Sequence, residues 1–228
     1  MTVSLPALAD EAATVVFFSG QPQVIAASGA ARPMLRGERI AAGETVDSVD
    51  GRVQLRFRDG ASMSLQPATR FRIDRFRYAG GDPAAGDGVL MTLLKGGLRT
   101  VTGWLGKKDR SQYRIDTTVA TIGIRGTEFG AILDETGLLV TTYAGLVEVC
   151  SEVACRDVAP SETVWVRAPG QRPQLREAPT GRQLRSDGVI PETPVVREVQ
   201  PMQPVQPAPQ VPPPASPSYH YPVHGHTP

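Results

Sequence analysis

Thr117-Thr118-Val119-Ala120-Thr121-Ile122-Gly123-Ile124-Arg125-Gly126-Thr127-Glu128-Phe129 is the run on which the reading of the chain turns. Val119, Ile122, Ile124 and Phe129 suit a pleated, half-buried surface. Gly123 and Gly126 interrupt them, and a glycine inside a strand pattern marks a bulge or a close backbone approach. Arg125 sits between the two glycines in a run that otherwise reads as core. A guanidinium taken indoors needs a carboxylate or carbonyl partner, because an unpaired buried charge is too costly to keep. The stretch therefore reads as a bulged strand that aims Arg125 at a neighbouring loop, with Asp116 or Glu128 as its partner. Gly123, Arg125, Gly126, Thr127 and Glu128 form a structural motif on this reading, not a catalytic one.

Working outward, the same short-strand grammar recurs. Val53, Leu55 and Phe57 alternate with Gln54, Arg56 and Arg58, and Asp59-Gly60 is a hairpin signal. Ala61, Met63 and Leu65 return, and Phe71 and Ile73 alternate between arginines until the period slips at Arg75-Phe76, as at a bulge. Val89 to Leu94 is an apolar strand or a short buried helix, and Lys95-Gly96-Gly97 reads as a turn. Ala131 to Leu133 and Leu138 to Val140 flank the turn Asp134 to Gly137. Tyr143 to Cys150 and Val164 to Val166 are the last strands of the pattern. No window keeps a 3.6-residue stripe over three turns, and turn signals recur about every ten residues. The fold class expected is all-β, a short-stranded sandwich or a solenoid-like stack.

The 228 residues divide unevenly. Residues 13–168 hold the material for one domain of common size. Residues 1–12 read as a signal-peptide remnant or disordered segment, and 169–228 as a proline-rich disordered tail that cannot build a core. That tail could dock a partner groove or space the domain from a surface. Net charge is +1, so steering toward nucleic acid or anionic lipid is not indicated. No run approaches the roughly 18–20 apolar residues of a membrane span.

Cys150 and Cys155, with four residues between them in a strand-turn-strand pattern, can face one another as a short-loop disulfide, which implies an oxidising compartment; two free thiols are the alternative. Val3 to Ala9 followed by Asp10-Glu11 resembles the end of a secretory signal, with Ala7-Leu8-Ala9 as a small-residue cleavage site. Either the natural start lies further upstream, or the likeness is chance. With the cysteine pair, the balance favours export.

Other signals have bland readings. Arg70, Arg72, Arg75 and Arg77 could bind phosphate or polysaccharide, but at strand spacing beside Asp74 they read as a solvated sheet face. Gly103 to Lys108 lacks the first glycine and the Ser or Thr of a phosphate loop. His220, His224 and His226 all lie in the tail, which closes Ser-His and Cys-His catalysis and leaves at most loose metal binding there. Zinc wants four ligands, so no metal site and no cofactor are expected. Asp116, Glu128 and Asp134 are the carboxylates from which an enzyme acting on envelope polysaccharide would have to draw.

Arg36-Gly37-Glu38 through Val46, Leu55 to Gly60, Leu94 to Arg99, Val119 to Phe129 and Tyr143 to Val149 together resemble the FecR domain, in order, from about Val15 to Val166. The resemblance implies an all-β periplasmic module without enzymatic activity. Its best-known members relay a signal from an outer-membrane iron-siderophore transporter to a cytoplasmic sigma factor. The cytoplasmic helical domain, membrane span and transporter-contacting subdomain of that layout are not read in this sequence. The chain is thus expected to be a stand-alone exported binding or scaffold module of a Gram-negative envelope, with an envelope protein or glycan as partner. The alternative is a periplasmic component of iron-uptake signalling whose anti-sigma and membrane parts are on another chain.

Overall fold

The alternating apolar residues become inward-facing rows of strands, as the period of two requires. The computed structural model describes residues 11–81, 86–108 and 112–176, with the backbone alone at Arg125. The leader-like run, the chain from 177 onward and the three histidines lie outside the described residues. Eight strands come first: β1 (Glu11–Phe18), β2 (Gln23–Ile25), β3 (Ala31–Pro33), β4 (Arg39–Ala41), β5 (Thr45–Asp47), β6 (Val53–Phe57), β7 (Ser62–Leu65) and β8 (Arg70–Arg77). Then follow β9 (Gly88–Val101), a short helix α1 (Trp104–Lys108), β10 (Tyr113–Asp116), β11 (Thr121–Asp134) and β12 (Gly137–Cys150). β13 (Cys155–Val158), β14 (Thr163–Val166) and β15 (Gln174–Arg176) complete the described fold. The fold class is all-β.

The pairing register resolves the strands into two layers that share their central members. The first layer runs β3-β2-β5-β8, then the first half of β9, β10, the first half of β11, the second half of β12, and β13. The second runs β4-β1-β6-β7, then the second half of β9, the second half of β11, the first half of β12, β14 and β15. All pairings are antiparallel except β9 with β10, whose parallel register is allowed by the excursion through α1. β9, β11 and β12, fourteen residues each, therefore cross from one layer to the other. This departs from the expectation of short strands throughout. Lys95-Gly96-Gly97 is a bend in a continuous strand, not a chain reversal, and β12 runs unbroken from Gly137 to Cys150.

One apolar core fills the space between the layers. Phe71, Ile73, Met91, Leu93 and Ile122 project from the first, and Leu55, Met63, Leu98, Phe129 and Val140 from the second. The rings of Phe57 and Phe76, one from each layer, lie 5.9 Å apart. The period slip read at Arg75-Phe76 is a register shift between Ile73 and Arg75 in the β8–β9 ladder. β15 extends the second layer past Val166, where the last strand was expected.

Candidate functional surface

The three crossing strands bend where glycine permits it. Gly96, Gly126 and Gly145 have φ of 86°, 57° and 76°, in the left-handed region that a side chain resists. The bends of β11 and β12 are packed against one another, and that of β9 against the β7–β8 connection. A Cβ on Gly145 would overlap the carbonyl oxygen of Gly126 and come within 2.9 Å of Thr127 Cγ2, and one on Gly96 would lie 2.5 Å from Thr69 Cα. Thr127 is clamped to the end of β9. Its amide donates to Thr102 Oγ1 at 2.9 Å, and its carbonyl accepts from Thr102 N and Oγ1, both at 3.0 Å.

The bulge in β11 falls between Arg125 and Glu128, so it involves Gly126 and Thr127. Gly123 lies outside it, in regular register between Arg114 and Glu148, with ordinary room for a Cβ 3.9 Å from the Glu148 carbonyl. The backbone of Arg125 pairs with Leu146, and its side chain lies outside what is described. The two carboxylates expected to face it each bond another arginine. Glu128 Oε1 accepts from Arg99 Nε at 2.9 Å and from the terminal guanidinium nitrogen, and Asp116 Oδ1 accepts from Arg114 Nε at 2.6 Å. Arg99 reaches Glu128 across the β9–β11 ladder, whereas Arg114 lies two residues before Asp116 on β10.

The outer faces of the layers differ in chemistry. On the first, Arg70 is matched to Asp47 at 2.6 Å, Arg72 to Asp74 at 2.5 Å and Arg114 to Asp116, while exposed Arg75 and Arg77 have no carboxylate partner among the described residues. Thr92 and Thr121 add hydroxyl donors to Asp74 and Asp116, at 2.7 and 2.9 Å. On the second, two half-buried aromatic side chains each carry a stacked guanidinium. Arg99 lies 4.5 Å from the centroid of Tyr143, which itself covers Gly130, and Arg176 lies 3.7 Å from the centroid of Trp165. Burial pushes the Tyr143 hydroxyl above its ordinary pKa; nearby Arg99 opposes the shift and Glu128 adds to it.

Three further groups matter for the fold or its surface. The Asp59 carboxylate of the β6–β7 hairpin is buried, accepts from Ala61 N at 3.1 Å and Leu105 N at 3.4 Å, and so ties the hairpin to α1. Burial raises its pKa, as it does that of buried Tyr113. The sequence marked Asp59 only as a turn residue; the contact with Leu105 spans 46 positions and leaves no local signal. Arg32 bridges Glu38 and Glu44, at 2.8 Å each, beside an open groove lined by Phe18, Pro22 and Met34. Cys150 and Cys155 face one another across β12 and β13 and are joined as a disulfide.

These elements define a two-layer all-β domain whose middle strands belong to both layers. Residues 44–148 match the family described as FecR protein. The match takes in β9 and β11 whole and nearly all of β12. Two crystal structures of a candidate anti-sigma factor from Parabacteroides distasonis ATCC 8503, at 1.65 and 2.50 Å resolution, are similar to the chain. Each shows 17% identity and a TM-score of 0.43, with 55% of either chain covered. The chain thus spans about half the length of those structures. No curated protein matches it.

Proposed function

We propose that this is a non-enzymatic FecR-domain binding module that works in the oxidising envelope compartment of a Gram-negative cell and feeds an envelope-sensing signal. The observation that carries the reading is the FecR match across the three crossing strands. The Cys150–Cys155 disulfide supports an oxidising location. The carboxylates considered for polysaccharide hydrolysis support binding over catalysis: Glu128 serves Arg99, Asp116 serves Arg114, and Asp134 accepts from Thr136 in its own turn. Among the described residues no helix is long and apolar enough to cross a membrane, and no group of three metal-ligating side chains gathers.

Deletion of the gene followed by transcript profiling under envelope stress tests the signalling part. A discrete set of genes should lose its response, and complementation should restore it. An unchanged transcriptome would remove signalling from the proposal. If the lost response is confined to one sigma factor's genes and iron uptake, the module serves a sigma-factor pathway through another chain.

A further inference from the structure

We infer that the outer corner of the second layer, from β4 across β1 and β6 to the end of β9, docks on an anionic phospholipid bilayer. The inference deepens the envelope reading, on which it rests, by naming the surface the module meets there. Two kinds of residue come together at this corner. The first are exposed apolar side chains. β1 bulges at Val16, so that Phe17 pairs with outward Gln54 while Phe18 turns back to the core. The bulge leaves Val16 and Phe17 exposed, at 46% and 45%. The turn after β3 runs beside them, its Gly37 amide donating to the Val15 carbonyl at 2.9 Å, and carries Leu35, 66% exposed. Across β6 and β7, the register Arg56–Ser62–Val101 brings exposed Val101 onto the same face. Exposed Trp104 follows, its amide bonded to the Asp59 carbonyl one residue past Arg58.

The second kind are arginines. Thr14 lies between Arg39 and Arg56 across β4, β1 and β6, one row from Phe17 and Gln54. Arg52 and Arg58 share the parity of Gln54 and Arg56 and extend the outward side of β6 at both ends. Arg36 lies over the Phe17 ring, 5.7 Å from its centroid. Arg39 is bonded to Glu11 at 3.3 Å; the other four have no carboxylate partner among the described residues. Nearby acids are engaged: Glu38 and Glu44 hold Arg32 at the groove, and Asp50 accepts from Gln21 N at 3.0 Å. The net charge of +1 gives no long-range steering, so the attraction is local. Unpaired Arg75 and Arg77 on the first layer lack apolar company, because their cross-strand neighbours Leu90 and Gly88 are half-buried and buried.

The combination selects a lipid surface. Aliphatic Val16, Leu35 and Val101 offer little to a sugar or a free phosphate. With Phe17 and Trp104 they can enter the boundary between headgroups and acyl chains, where tryptophan is favoured. The arginines then lie level with the lipid phosphates and can fork onto them. A protein interface gathers its apolar residues at the centre and leaves charge to the rim. Here Arg56 and Arg58 of β6 stand between the apolar groups of β1 and β9.

The test uses the full chain with its disulfide formed, sedimented with vesicles of phosphatidylcholine mixed with phosphatidylglycerol, or of phosphatidylcholine alone. The mixed vesicles should carry it down, the neutral ones should not, and added salt should release it. Phe17→Ala and Leu35→Ala should each weaken binding roughly fivefold to tenfold, the effect of losing part of an inserted apolar side chain. Arg56→Ala should weaken it about fivefold, the share of one arginine near an anionic surface. Arg75→Ala and Val153→Ala, exposed elsewhere, should bind as the parent does. Brominated lipid should quench Trp104, so the quench should survive Trp165→Phe and vanish in Trp104→Phe. No sedimentation with mixed vesicles, equal sedimentation with neutral ones, or equal losses in the two control variants would each overturn the docking. So would a quench that follows Trp165. A dimer of the free chain that Phe17→Ala breaks would overturn it too, since a second copy would then cover the corner. The transcript response is read independently, so failure here is separable from failure of the broader reading.

Discussion

Replacing Gly145 by alanine tests whether the crossing strands are held by contact between their bends. The residue has φ +76°, which costs a side chain roughly 1–2 kcal/mol. Its new Cβ would also collide with the Gly126 carbonyl, a backbone atom that cannot rotate away. Overpacking of this kind costs about 1–3 kcal/mol, giving roughly 2–5 kcal/mol in all. Against a typical total stability of about 5–15 kcal/mol, the variant should fold but be much weakened. In urea unfolding with a slope near 2 kcal/mol/M, the midpoint should fall by roughly 1–2.5 M. Gly123→Ala is the matched control. Its Cβ would meet only ordinary contact, and removing a strand glycine gains a few tenths to about 1 kcal/mol of chain entropy. A Gly145→Ala midpoint within about 0.5 M of the parent, or an equal loss in Gly123→Ala, would refute the packed-bend account.

The remaining predictions concern single features. Cys150→Ser with Cys155→Ser should lower stability by about 2 kcal/mol, the entropy of closing so short a loop, and reductant should lower the parent's melting point similarly. For Asp59, burial raises the folded-state pKa above the unfolded value near 3.9, so the fold binds the proton more tightly than the unfolded chain does. Its ionisation penalty is present at neutral pH and is relieved as pH falls through the folded pKa. Stability of Asp59→Asn relative to the parent should therefore decline on acidification from pH 7 toward 4, and a flat difference in urea midpoints would count against it. Val49, β-branched at φ 50° and exposed, should gain about 1 kcal/mol in thermal unfolding when replaced by asparagine, which tolerates that conformation.

Much of the architecture was legible because alternation is local. Val53 to Phe57, the Asp59-Gly60 hairpin and the slip in β8 all sit within a few residues of their cause. The layer sharing was harder to see because glycine is ambiguous. Gly96 and Gly137 both have positive φ in apolar surroundings, yet one bends a strand and the other closes a hairpin. The choice depends on which strands lie alongside, and those are far away in sequence. The same holds for the outer face of the second layer. Gln54, Arg99 and Arg176 are unremarkable one by one and become a row only through register across seven strands. Arg125 stands out as an arginine in an apolar run, and of the two carboxylates read as its partners Glu128 bonds Arg99 and Asp116 bonds Arg114.

One signal in the sequence does record the bends. Inward residues change parity along each crossing strand. Met91 and Leu93 give way to Leu98, Ile122 and Ile124 to Phe129 and Ala131, and Leu138 and Val140 to Val147 and Val149. A strict period of two would turn the second set outward, so each strand needs an extra residue at its bend. In β11 that residue lies in the Gly126-Thr127 bulge. Deleting Thr127 should therefore turn Phe129, Ala131 and Leu133 toward solvent. Exposing the Phe and Leu alone forfeits about 3–6 kcal/mol, comparable to the whole stability of many domains. Thr127→Ala keeps the count and should cost about 1 kcal/mol or less, because the Thr127 hydroxyl has no hydrogen-bond partner among the described residues. Circular dichroism and urea unfolding separate the two outcomes. If the deletion variant folds as firmly as Thr127→Ala, the parity change is not what directs β11 from one layer into the other.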